Sequence, residues 1–172
     1  MFDAFGPLWF FNLIVSNNVK HCGMKRNFER ILQSLLHLLL RAGWAPVAVL
    51  IIHGAIAKTS LRTPLDFTIH FLGGASMAYL MCRALESFAF LVGQVTFLGQ
   101  LIFSFALACT VGVFWEFTEF FRDTIYHTHI QQSLQETMLD LVADAAGAAA
   151  SLLLISLIMW LGKPRRLPSS SE

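Results

Sequence analysis

The acidic residues of this chain are gathered rather than scattered. Asp66 and His70 stand at i and i+4, so they share one side of a helix. Glu116, Glu119 and Asp123 follow at i, i+3 and i+7, again one face, and Asp140 and Asp144 repeat the i, i+4 spacing. A carboxylate-rich set with one imidazole suits a hard or borderline divalent cation. Mg²⁺, Mn²⁺ and Ca²⁺ fit it, and His70 admits Zn²⁺ or Fe²⁺. Glu116, Glu119, Asp123, Asp140 and Asp144 are the candidate metal ligands. His70 is the candidate general base, oriented by Asp66, and Arg122 the candidate receiver of a phosphate oxygen. His127 and His129, just beyond, could complete such a site or shuttle protons.

These groups lie in a very apolar chain. Of its 172 residues, 56% are hydrophobic and 13% charged. The mean hydropathy is +0.62. A soluble domain typically carries about twice that charged fraction. The net charge of +1 gives no electrostatic footprint for a nucleic acid. Cys22, Cys82 and Cys109 have no metal-type spacing, and two of them sit in apolar runs, which argues against a disulfide framework. The composition is that of an integral membrane protein whose surroundings are lipid.

A spanning helix needs about 20 mostly apolar residues. The sequence offers about four such stretches, at residues 41–58, 65–85, 97–117 and 136–161. The expected fold is therefore an all-α polytopic bundle over residues 41–162. An N-terminal interfacial and amphipathic segment, residues 1–40, precedes it, and a basic cytoplasmic tail, 163–172, follows. Residues 1–16 are too short for a span. They carry Asp3 in place of an early Lys/Arg cluster, so they read as an interfacial helix with Trp9, Phe10 and Phe11 at headgroup depth, not as a signal peptide. Pro46 is expected in the first turns of the first span and Pro64 at the start of the second.

Orientation follows from the basic residues. With both termini in the cytoplasm, Lys20, Lys25, Arg26, Arg30, Arg41, Arg83, Lys163, Arg165 and Arg166 fall inside, against Lys58, Arg62 and Arg122 outside. Alternating helix directions then bring all the acidic groups to the same outer level. Ionisable groups within a membrane cost a few kcal/mol each by insertion scales. Carboxylates so close also repel one another. A bound cation, protonation or a basic neighbour such as Arg122 must offset this. Gly73, Gly74, Ala75 and Ser76 beside His70, and the alanine-rich run around Asp144 and Gly147, let helices approach closely there.

Three phrases in order carry a family resemblance. They are Asp66-Phe-Thr-Ile-His70-Phe-Leu-Gly-Gly, then Trp115-Glu-Phe-Thr-Glu-Phe-Phe-Arg-Asp123, then Gln135-Glu-Thr-Met-Leu-Asp140-Leu-Val-Ala-Asp144-Ala-Ala-Gly147. Over about residues 64–150 the chain resembles the YjdF-like small inner-membrane proteins of bacteria. More distantly it is similar to the VanZ-like group, which shares an Asp-xxx-His helix, a later Glu helix and a final Asp helix before small residues. The resemblance implies a polytopic bundle in the bacterial inner membrane with an embedded acidic and histidine site. It implies no reaction.

Three functions remain open on the sequence. One is a metal-dependent enzyme hydrolysing or transferring a lipid or lipid-linked phosphate near the outer leaflet. Another is a small cation or proton transporter. The third is a non-catalytic envelope protein whose acidic groups lock the helices. Trp44, Trp115 and Trp160 read as interfacial anchors, and His37 and His53 as structural.

Overall fold

The computed structural model describes residues 26–57 and 59–162. It contains four long helices: α1 Arg26–Ile56, α2 Arg62–Ser87, α3 Phe97–Tyr126 and α4 Leu134–Leu161. A single helical turn, Ala89–Val92, lies between α2 and α3. No strand occurs among the described residues. The expected interfacial segment over residues 1–16 and the basic tail over 163–172 lie outside them.

By length and apolar composition, α1, α3 and α4 could each cross a membrane. The sequence suggested about four such helices. The exception is α2, which is long enough but carries Asp66, His70, Arg83 and Glu86. It sits in the centre, packed against α1, α3 and α4, with His70 and a run of small residues buried. The other helices turn apolar side chains outward, with Ile51, Phe114 and Leu153 exposed at 67%, 62% and 70%. Such a surface belongs in lipid.

The sequence separated an amphipathic helix from a first span beginning at residue 41. The structure runs one helix through both, widened to a π turn at Leu39–Gly43. Pro46 follows this turn and has no N–H to offer it. Loosened carbonyls in such a turn take other donors. Here Arg41 C=O accepts from Trp44 Nε1 at 3.2 Å and from Tyr79 Oη of α2 at 3.4 Å.

Local signals explain the other boundaries. Gly93 adopts φ 84°, a conformation that favours glycine, and ends the short turn. Thr96 then caps α3 by accepting from Gly99 N–H. Ser133 caps α4, accepting from Glu136 N–H at 3.1 Å, while Glu136 Oε2 accepts from Gln132 N–H at 2.7 Å. This reciprocal pairing is a capping box shifted by one residue.

The core is made of small residues. Ala78 and Cys82 of α2, Ala108 of α3, and Ala148 and Leu152 of α4 form one buried cluster. Above it α2 and α4 touch backbone to backbone. A Cβ on Gly74 would fall 2.6 Å from the carbonyl carbon of Asp144, and one on Gly147 would fall 2.7 Å from that of Phe71. Each glycine thus permits the approach of the opposite helix.

Candidate functional site

Close packing carries the polar groups inward at one end of the bundle. On α3 the buried stripe Ser104, Ala108, Gly112, Glu116 repeats every four residues, so Glu116 faces inward as the small residues do. On α4, Asp140, Ala143, Asp144, Gly147 and Ala148 form the matching stripe. On α2, His70 and Gly74 are one turn apart and both buried. His70, Glu116, Glu119, Asp140 and Asp144 are all buried in consequence.

Asp144 is seated among glycines. Its Oδ1 lies 3.6 Å from where a Cβ on Gly73 would stand, and its Oδ2 2.6 Å from one on Gly112. That seat directs Asp144 Oδ2 to within 3.4 Å of His70 Nδ1, and Glu116 Oε1 lies 3.8 Å from the same nitrogen. His70, Glu116 and Asp140 each offer one donor atom, all within 4.8 Å of one another. Glu116 Oε1 is buried with no hydrogen-bond partner. Burying such a group without a hydrogen bond is costly, and a proton, a cation or a charged His70 could each offset that cost.

The loop between α3 and α4 closes this end. Asp123 does not join the cluster. Its carboxylate accepts from Thr128 Oγ1, from Ile130 N–H at 2.8 Å and from Gln131 N–H at 2.9 Å. Those bonds arrange the loop so that Gln131 Nε2 donates to Glu116 Oε2 at 3.0 Å and to Glu116 C=O at 3.1 Å. From α2, Arg62 donates to Ile130 C=O at 3.1 Å and fastens the loop across the bundle end.

The remaining expected residues fall in three groups. Asp66 is half-buried on the His70 face, without a hydrogen bond to His70, whose Nδ1 faces Asp144 and Glu116. Glu119 is buried but accepts from Trp115 Nε1 at 3.1 Å. Arg122 is exposed and makes no hydrogen bond or ion pair among the described residues. His127 ends α3 in the left-handed conformation, φ 53°, and is exposed, as is His129. Trp115, read as an interfacial anchor, is half-buried and meets His53 edge-on, ring centres 5.4 Å apart. Its i, i+4 spacing to Glu119 was a visible signal. Gln131 had none beyond lying in a polar loop.

Beside the cluster is a half-open cavity of about 270 Å³. α1 supplies Pro46, Val49, Leu50 and His53, α2 supplies Ile69, Gly73 and Met77, and α3 supplies Ala108, Val111 and Trp115. Its wall is mostly apolar, with His53, His70, Ser76 and Asp144 as its polar members. α1 and α3 do not pack directly along their backbones, which is why space remains between them.

A multi-helix membrane protein with a buried histidine and carboxylate group is the class these features define. The family described as predicted membrane protein (DUF2238) matches residues 20–160, and the chain belongs to it. That match includes α1, where the sequence phrases gave no resemblance. No curated protein and no solved structure matches the chain.

Proposed function

We propose that this protein is a metal-dependent membrane enzyme acting on a lipid or lipid-linked phosphate, with His70, Glu116 and Asp140 as the cation ligands. The observation that carries the reading is the buried Glu116 Oε1, which accepts no hydrogen bond and lies 3.8 Å from His70 Nδ1, in a group bordering a cavity of apolar wall. Two carboxylates and an imidazole from three helices are a donor set for Mn²⁺ or Zn²⁺, and with more water for Mg²⁺. A bound cation would polarise a phosphoryl oxygen. Asp144 would orient His70, and Gln131 would hold Glu116. The cavity would take the hydrocarbon part of the substrate.

In this reading α2 also crosses the bilayer, making four spans, with the histidine end at the outer face of a bacterial inner membrane and both termini in the cytoplasm. The YjdF-like resemblance then describes this same family. A transmembrane proton or cation path is less well supported, because Ala78, Ala108, Ala148 and Leu152 fill the bundle below the site.

The test is metal content by mass spectrometry on detergent-purified protein, wild type beside Glu116→Gln/Asp140→Asn. Near-stoichiometric metal, lost in a folded double variant, is expected. No metal in the wild type after re-addition of Mg²⁺, Mn²⁺ and Zn²⁺ would overturn the reading.

A further inference from the structure

The opposite end of the bundle holds a second polar hollow. It has a volume of about 230 Å³ and is lined by His37, Leu38 and Arg41 of α1 and by Arg83, Glu86 and Ser87 of α2. His70 and Arg83 stand on the same helix, about 20 Å apart along its axis, so this hollow is separate from the acidic cluster.

Its charges are unbalanced. Glu86 is already engaged: Oε2 accepts from Arg83 Nη1 at 2.8 Å and Oε1 from Gln100 Nε2 at 3.1 Å. Arg83 still has a buried Nε without an acceptor. Its guanidinium is held in place by the Tyr79 ring, 5.5 Å from the ring centre. The Arg41 side chain is exposed at the rim of the hollow, and its guanidinium has no ion-pair or hydrogen-bond partner among the described residues. It belongs to the π turn, a distortion frequent at functional sites. The Tyr79 bond to Arg41 C=O ties that turn to the Arg83 turn of α2. Two guanidinium groups on two fastened helices therefore line one hollow, with donors left over.

The depth of the hollow is indicated by aromatics. Trp44, one turn from Arg41, and Trp160, at the end of α4, are 62% and 69% exposed. Tryptophans so placed mark the headgroup level of a bilayer.

We infer that this hollow binds the phosphate group of an anionic lipid headgroup, with Arg41 and Arg83 as its donors. A phosphate oxygen accepts what Glu86 cannot, and planar guanidinium groups match its geometry. Basic hollows between membrane helices bind acidic headgroups in this way.

The test is native mass spectrometry of the full chain in detergent, with phosphatidylglycerol or phosphatidylcholine added, and inorganic phosphate as competitor. Wild type, Arg41→Gln and Arg83→Gln are compared. Arg41→Gln is the safer variant, since its guanidinium makes no bond that folding needs. Phosphatidylglycerol should be retained over phosphatidylcholine, and Arg41→Gln should weaken its retention about fivefold. Competition by millimolar inorganic phosphate would assign the site to phosphate generally, and its failure to compete would assign it to the lipid form. Equal retention of both lipids by wild type, or equal phosphatidylglycerol retention by wild type and both variants, would overturn the inference. Neither result depends on metal at the other end.

Discussion

The glycines of the helix contacts allow a graded test of how the bundle is held. An alanine at Gly147 would put its Cβ 2.7 Å from the carbonyl carbon of Phe71 and 3.1 Å from Ala75 N, well inside the roughly 3.5 Å of unstrained contact. Both atoms are backbone, so α2 and α4 must separate. Gly74→Ala meets the Asp144 backbone in the same way, at 2.6 Å and 2.7 Å. Gly112→Ala meets a side chain, with Asp144 Oδ2 at 2.6 Å and Cγ at 3.1 Å, so Asp144 must shift from His70 but no backbone has to move. Gly54→Ala meets nothing within 4 Å and lies within α1. Overpacking costs about 1–3 kcal/mol. An unobstructed Gly→Ala change in a helix gains up to about 1 kcal/mol. The expected order of stability is Gly54→Ala, wild type, Gly112→Ala, then Gly74→Ala and Gly147→Ala. The extremes should differ by about 1–4 kcal/mol, or roughly 2–16 °C in Tm for a chain of this size. Thermal unfolding in detergent, followed by helical circular dichroism, measures this. Equal Tm values for Gly54→Ala and Gly147→Ala would refute the close-contact argument.

Three further outcomes are expected. Gln131→Leu removes the donor to Glu116 Oε2 and should destabilise the protein by about 1–3 kcal/mol, read in the same unfolding assay. Asp123→Ala frees Thr128, Ile130 and Gln131 together, so limited proteolysis should cut the loop between α3 and α4 faster while α3 itself stays protected; unchanged cleavage would contradict its role as the loop's anchor. Ser133→Ala should cost about 1 kcal/mol through loss of the α4 cap, with metal content unaffected.

Much of the site was legible because helical spacing alone places side chains on faces. The i, i+4 relation of Asp140 to Asp144, and the small residues one turn on, coincide with the buried stripe of α4. The same arithmetic overreached at Asp123. It continues the Glu116 face, but at the end of α3 the chain turns back, and bare loop amides compete for the carboxylate more effectively than a distant cluster does. Asp66 was assigned to His70 by proximity in sequence, whereas the seat formed by Gly73 and Gly112 brings Asp144 to that ring from another helix. No single-helix spacing contains that relation. The first helix was divided at Arg41 because a charge and a proline are ordinary boundary signals. A π turn and a bond from Tyr79 let the helix continue through both.

The central position of α2 bears on how the chain is assembled. Of the four long helices, it is the least apolar and the only one not among the three candidate spans. Its partners for His70, namely Glu116 and Asp144, and its backbone contact at Gly147, all come later in the chain. Before α3 and α4 exist, α1 is the only one of the three neighbours of α2 already made. Because Asp140 and Asp144 stand on the last helix, the acidic group cannot be complete until α4 has been made and has packed against α2.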